Sequence, residues 1–374
     1  MTAQTQKTAT AADVSAAKVR RFPRSIVLSS LAAVLAVCGL WSLTRGAVDT
    51  SARDVLASFT DEGFTGGQKL KSIVVREIRL PRLVTGLLVG AALTLSGSLL
   101  QGLFRNPLAD PALIGVSSGG AMGAVVAIIA LPAILSNLAI PESLAGPINW
   151  FGLPFLAMGG AIGLTFIVYR VSLVRGRTHV PAMLLTGIAI NAIGSAFVGL
   201  FVTIYANDEQ LRTITFWTLG SLSGANWSNT LALTAFILIP AAFALRQDSA
   251  LNTFLLGETE AFHLGVNVQR VKRAVILISA IMVGATVAYC GIIGFVGLVV
   301  PHMIRTALGP DHRMLIPAGA LLGAITLITA DVFARTVLSP AELQIGILTA
   351  IIGGPFFLAL LIRARGSGAT SLGT

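Results

Sequence analysis

Between Ile26 and Ile362 the chain alternates long apolar stretches with short polar connectors. The apolar stretches fall near 26–45, 83–104, 112–131, 150–170, 181–205, 228–245, 274–290, 292–308, 315–335 and 343–362. A helix needs about 20 apolar residues to cross the hydrocarbon of a bilayer. Inside hydrocarbon, only helices and closed barrels satisfy their own backbone polar groups. These runs are too long and too continuous for the alternating strands of a barrel. The pattern therefore predicts an all-α, polytopic membrane protein with ten transmembrane helices. Function is expected along a path through the bilayer.

Two connectors depart from the short polar kind. Residues 206–226 mix charge with aromatic and apolar residues. They predict a short helix in the outer interface, with Trp217 and Trp227 at headgroup level. Residues 246–273 form the longest inner connector, with Leu251, Phe254, Leu255 and Leu256 before Gly257-Glu258 and His263-Leu264-Gly265-Val266 after it. Such an apolar patch either packs under the bundle or docks a partner, and the pattern alone does not choose.

A faint internal repeat crosses the pattern. VGAALTLSG at 89–97 resembles VGATVAYCG at 283–291, and Pro107 and Pro301 keep the same offset from them. The first copy runs outside to inside and the second inside to outside. That is an inverted-topology repeat, an architecture many transporters use to build a central pathway.

Charge adds orientation. The 374 residues carry a formal net charge of +10 and are only 11% charged, with a mean hydropathy of +0.84. Lysine and arginine are read as cytoplasmic anchors rather than as a nucleic-acid surface. An even number of spans puts both termini on one side, here the cytoplasm. The inner connectors then hold Arg105, Arg170, Arg175, Arg177, Arg246, Arg270, Lys272, Arg273 and Arg313, and the tail adds Arg363 and Arg365. The outer connectors 131–150 and 339–343 hold no Lys or Arg. The outer segment 46–82 is the exception, with Arg53, Lys69, Lys71, Arg76, Arg79 and Arg82. Residues 1–25 are expected to be a disordered cytoplasmic tail, 26–365 one transmembrane domain, and 366–374 a second cytoplasmic tail. Lys18, Arg20, Arg21 and Arg24 resemble a signal-peptide start, but the run that follows is long and lacks a convincing cleavage site, so it reads as an uncleaved first span.

Candidate chemistry is sparse. Cys38 and Cys290 both lie in apolar runs and read as packed thiols, too few for a four-ligand zinc site. Ion-coupled carriers place carboxylates in mid-membrane. Here only Asp331 falls well inside a span, and Arg335 one turn on suggests a local ion pair. His179, His263, His302 and His312 fall at or near the inner side, so no mid-membrane metal or haem ligand pair is expected, and no cofactor. No phosphate loop G-x-x-x-x-G-K-[ST], no H-E-x-x-H and no serine triad occurs. The chain is not expected to be an enzyme; ATP, if it drives transport, is hydrolysed by another polypeptide. Gly115, Gly119, Gly120 and Gly123 in one span, and Gly159, Gly160 and Gly163 in the next, suit close helix packing. Gly353-Gly354 before Pro355, and Pro301-His302, mark kinks or breaks that can line a cavity.

Several long motifs, in order, resemble one family. Ile78-Arg79-Leu80-Pro81-Arg82 leads into VGAALTLSGSLLQGLFRNPLADPALIGVSSGG. Then come LeuGlyGluThrGluAla and LeuGlyValAsn, GFVGLVVPHMIRTALGPDHRMLIP, ADVFART and PAELQIGILTAIIGGPFF. The chain from about 26 to 365 is similar to the FecCD-type permeases of ABC importers, which carry iron–siderophore complexes, haem and cobalamin. The resemblance implies the inverted-repeat fold of a type II importer permease, a homodimer, two cytoplasmic ATPase subunits and a periplasmic binding protein. It also implies a pathway between two permease copies in a bacterial inner membrane, lined mainly by the fifth span. TyrAlaAsnAspGluGlnLeuArg with the later ThrPheTrp, GlySerLeu and GlyAlaAsnTrp looks most like haem permeases, as do GlyProAspHisArg and GlyGlyProPhePhe. Ferric-siderophore and cobalamin transport are the rival substrates. An ion-coupled secondary carrier is the rival from another class.

Residue roles follow from the same resemblance. Arg79, Arg82 and Arg335 match positions that pair with carboxylates of the binding protein. Leu256, Gly257, Glu258, Ala261, Leu264 and Gly265 match the segment that couples to the ATPase. Val180-Pro181 corresponds to an inner gate, and Asn106, Pro107 and Leu108 form a second candidate constriction. In the fifth span, Asn191, Gly194, Ser195 and Val198 recur near helical spacing as a face of mostly small side chains, suited to a pathway lining or to packing.

Overall fold

The computed structural model describes residues 23–60, 66–138 and 141–366. The expected tails at 1–25 and 366–374 lie almost wholly outside these residues. Helix α1 is Arg24–Thr44 and α2 is Ala52–Thr60. Helix α3, Gly67–Ile73, passes through a π-helical turn at Val74–Arg79 into α4, Leu80–Phe104. Then follow α5 (Val116–Asn137), α6 (Glu142–Val171) and a hairpin of β1 (Leu173–Val174) and β2 (Arg177–Thr178). Helices α7 (Val180–Tyr205), α8 (Asp208–Thr218) and α9 (Trp227–Leu245) come next. The inner connector folds as α10 (Asp248–Phe254) and α11 (Glu258–His263). The chain ends with α12 (Val268–Cys290), α13 (Val296–Leu308), α14 (His312–Thr336) and α15 (Ile345–Gly366).

Eight of the described helices are long and apolar enough to cross a membrane alone. Two shorter apolar helices, Val296–Leu308 and Ile345–Leu360, take the eighth and tenth places. The ten expected spans therefore each have a helix. The eighth is the exception in length. Its 13 residues rise about 20 Å, short of a hydrocarbon core of about 30 Å. Residues 291–295 complete the crossing without helix. Gly291 and Phe295 take positive φ there, at 70° and 66°.

Irregular backbone at that depth must be covered by protein. The segment after α8 covers it. Ser221 N–H donates to the Cys290 carbonyl at 2.8 Å, and Gly346 N–H donates to the Leu219 carbonyl at 3.0 Å. Gly220 fits against this break because it has no side chain: a Cβ would stand 2.4 Å from the Ile292 carbonyl oxygen.

The core centres on α4, α12 and α14. Their small residues let backbones approach. A Cβ on Gly97 of α4 would lie 1.7 Å from the Gly297 carbonyl oxygen. The repeat is visible in this packing. Gly90 of α4 sits on Gly323-Ala324 of α14, and its counterpart Gly284 of α12 sits on Ala161 of α6. Helix α4 packs on α14 as α12 packs on α6. Spans two and seven, five crossings apart in an alternating bundle, run in opposite directions, so the repeat is inverted. The two copies diverge at the prolines: Pro107 lies in the turn after α4, whereas Pro301 lies within α13.

The outer helix α8 forms as expected, with a capping box of Asn207 and Gln210. Both tryptophans make contacts within the protein. Trp217 packs against the core, and Trp227 Nε1 donates to the Arg76 carbonyl at 3.0 Å. Cys38 and Cys290 are free thiols, and Cys290 is buried.

Candidate functional site

The end of the bundle expected to face outward is built on arginine. Arg79 lies at the end of the π-helical turn and donates to the Leu43 carbonyl at 2.8 Å, to Thr50 Oγ1 and to the Val48 carbonyl. Arg82, one turn on, donates through Nε to Asp331 Oδ1 at 2.9 Å. Its two terminal nitrogens grip Glu342 bidentately, both at 3.0 Å. Arg335 reaches back to Asp331 at 3.4 Å and to the Ser42 carbonyl at 2.7 Å. All three guanidinium groups are buried. The expected Asp331–Arg335 pair is present, within a larger network that clasps α1, α4, α14 and the segment before α15. The structure thus places Arg79, Arg82 and Arg335 beneath the outer surface, each engaged inside the subunit.

Two further basic residues of segment 46–82 find partners nearby. Lys71 pairs with Asp54 at 3.0 Å, and Arg76 lies 6.0 Å from the Phe59 ring centroid. The Ser51 backbone N–H, and then Lys71, hold the Asp54 carboxyl down to about 2. An open polar cleft of about 890 Å³ lies among the end of α1, the start of α2, α3 and the end of α14, lined in part by Arg45, Asp49, Asp54, Lys71 and Arg335.

The inner connector divides in two. Leu251, Phe254 and Ala261 are fully buried. Leu256, Phe262 and Leu264 point outward, with 63%, 67% and 61% of their surface exposed. The apolar patch is thus split between residues packed under the bundle and residues left exposed. Phe262 carried no sequence signal separating it from the buried set; only the turn of α11 exposes it. Gly257 and Gly265 take φ of 130° and 85°, conformations that favour glycine. Of the six coupling candidates, Ala261 belongs to the core and not to the outward face. Glu258 pairs with buried Lys272 at 2.7 Å.

The fifth span, α7, is largely exposed along one side in the single subunit. Its small-residue face does not line that side. Asn191 Nδ2 donates to the Ala112 carbonyl at 3.0 Å, and its amide oxygen accepts from Ser118. A Cβ on Gly194 would stand 3.0 Å from Ser118 Cβ. Val198 packs with Val125, Ile129 and Ile214. These three hold α7 to α5 and α8, while Ser195 is exposed. Val180 packs against the core at the inner end, and Pro181 is exposed. Asn106 closes a tight turn, its Oδ1 accepting from the Leu108 N–H at 2.9 Å, with Pro107 between them. No cluster of three or more His, Cys, Asp or Glu able to hold a metal occurs among the described residues.

Ten apolar helices and an inverted repeat fit a membrane permease subunit. The comparisons with known proteins agree. The FecCD transport family matches residues 21–363, and the chain belongs to that family: it is an ABC importer permease. It is 42% identical to the hemin transport system permease protein of Yersinia pestis, over 91% of this chain and 96% of that one. It is 39% identical to the cobalamin import system permease protein of Halobacterium salinarum, over 79% of this chain and 75% of that one. A solved chain described as an inward-facing conformation of a metal-chelate type ABC transporter superposes with a TM-score of 0.77 at 33% identity, covering 91% of this chain and 99% of that one. Permeases of this class work with a separate ATPase and a substrate-binding protein.

Proposed function

We propose that the chain is the permease subunit of a haem importer in a bacterial inner membrane, with both termini cytoplasmic. Two copies form the pathway between them, two ATPase subunits bind the inner face and a periplasmic binding protein delivers haem from outside. The observation that carries the substrate is the 42% identity to a hemin permease across 96% of its length. The cobalamin and vitamin B12 permeases at 39% and 36% identity support cobalamin as the second reading. Ferric siderophores remain a third arm of the test.

The exposed trio Leu256, Phe262 and Leu264 supports the inner connector as the ATPase surface. The exposed side of α7, with Pro181 and Ser195, supports this helix as pathway lining between two copies. Asn191, Gly194 and Val198 support it from behind. Docking of the binding protein is proposed at the outer ends of α4 and α14, where Arg79, Arg82 and Arg335 shape the surface from beneath it. A substrate-laden partner drives the cycle only through its differential affinity for the two states.

The assembled transporter in proteoliposomes, offered hemin, a ferric siderophore and cobalamin separately, tests the reading. Preferential ATP-dependent uptake of hemin is expected. Preferential uptake of cobalamin or the siderophore would replace haem as the substrate.

A further inference from the structure

Lys272 lies in the second turn of α12 with only 2% of its surface exposed. Its ammonium makes two contacts. Nζ meets the Glu258 carboxylate at 2.7 Å and donates to the Thr178 carbonyl at 2.9 Å. One turn earlier, Gln269 Oε1 accepts from the Thr178 N–H at 3.1 Å. Both backbone groups of Thr178 are thus held by side chains of α12. Thr178 closes the β1–β2 hairpin, and α7 starts two residues later at Val180. Glu258 opens α11, which carries exposed Phe262 between Leu256 and Leu264. Among the described residues, no direct hydrogen bond or ion pair joins α10 or α11 to the hairpin; the polar route runs through Lys272.

A buried ammonium is costly unless it is paired and hydrogen-bonded. Among the described residues, Glu258 supplies the only counter-charge within ion-pair distance of this one. Losing either contact would leave the cation under-satisfied, so the carboxylate, the ammonium and the Thr178 carbonyl favour moving together. We propose that Lys272 is a positioning residue that joins the ATPase-facing loop to the entrance of α7. A displacement of α11 by the ATPase is delivered through Nζ to Thr178, and so to the Val180-Pro181 turn. The proposal rests on the reading of 246–273 as the ATPase surface.

The test uses the assembled transporter, with Cys38 and Cys290 replaced by alanine and Val174→Cys as a reporter on the hairpin. Val174 is exposed, so a maleimide reaches it. ATP is expected to change its labelling rate about fivefold or more in the parent, the scale of an ordinary allosteric coupling. In Lys272→Met the response should fall below about twofold while the ATPase stays bound, and Lys272→Arg should recover most of it. If Lys272→Met fails to assemble, Glu258→Gln interrogates the link from its half-exposed end and should lose the response likewise. An undiminished response in Lys272→Met or Glu258→Gln overturns the proposal, as does an unresponsive hairpin in the parent. The underlying reading fails separately: Leu264→Asp leaving ATPase binding unchanged would remove the loop as a docking surface.

Discussion

The arginines of the outer face differ in what their loss should do. Arg82 neutralises buried Asp331 and grips Glu342. Arg82→Ala would leave the Asp331 charge to Arg335 alone, at 3.4 Å, and should cost up to about 3 kcal/mol, the low end for breaking a buried pair. Glu342 keeps 39% of its side chain exposed, so Glu342→Ala should cost about 0–1 kcal/mol, as for surface pairs. Thermal unfolding in detergent checks both; equal losses would mean that the network is not organised around Asp331. Charge reversal at Arg79 and Arg82 is therefore expected to unfold the outer clasp as well as to weaken docking. The glycines separate in the same way. Gly97→Ala drives a methyl into the Gly297 carbonyl and should cost about 3 kcal/mol or more. Gly163 meets nothing within 4 Å, so Gly163→Ala should change stability by no more than about 1 kcal/mol.

At the scale of elements, α7 and α11 each present two faces with different duties. Gly194 backs onto Ser118, whereas Ser195 is exposed. Cysteine at Ser195 is expected to react with membrane-permeant thiol reagents and to crosslink to its symmetry mate. Cysteine at Gly194 should do neither. Reversed labelling would place the pathway on the other side of the helix. On α11 and its flanks, Leu264→Asp should weaken ATPase association by about tenfold, the equivalent of about 1.4 kcal/mol, measured by co-purification against a dilution series. Ala261→Asp should instead destabilise the permease itself, because Ala261 is fully buried. The sequence set both groups in one stretch. Only the folding of α10 and α11 sorted them.

At the scale of the molecule, the ten spans were legible because an apolar run of bilayer length is a local property. So was the repeat, since matched glycines at 90 and 284 perform the same task in two places. The outer helix α8 was legible from its capping residues and amphipathic composition. The exposed side of α7 is where the proposed second copy would pack. A stable dimer is expected by mass measurement in detergent. A monodisperse monomer that still transports would overturn the two-copy pathway.

The residues alone determined the all-helical class, the number of crossings, the lack of ATPase machinery and the family. Each depends on composition, spacing or motif order, which a linear chain displays in full. The tertiary structure decided which way the side chains face. It turned Arg79, Arg82 and Arg335 inward, because Asp331, Glu342 and the carbonyls at the end of α1 lie within reach only after folding. It turned Asn191 and Gly194 toward α5, and it broke the eighth span at 291–295, where the segment after α8 satisfies exposed backbone. It also joined Glu258, Lys272 and Thr178, residues from three separate stretches of chain. A buried polar group is satisfied by partners that are near in space, and nearness in space is what a sequence does not state.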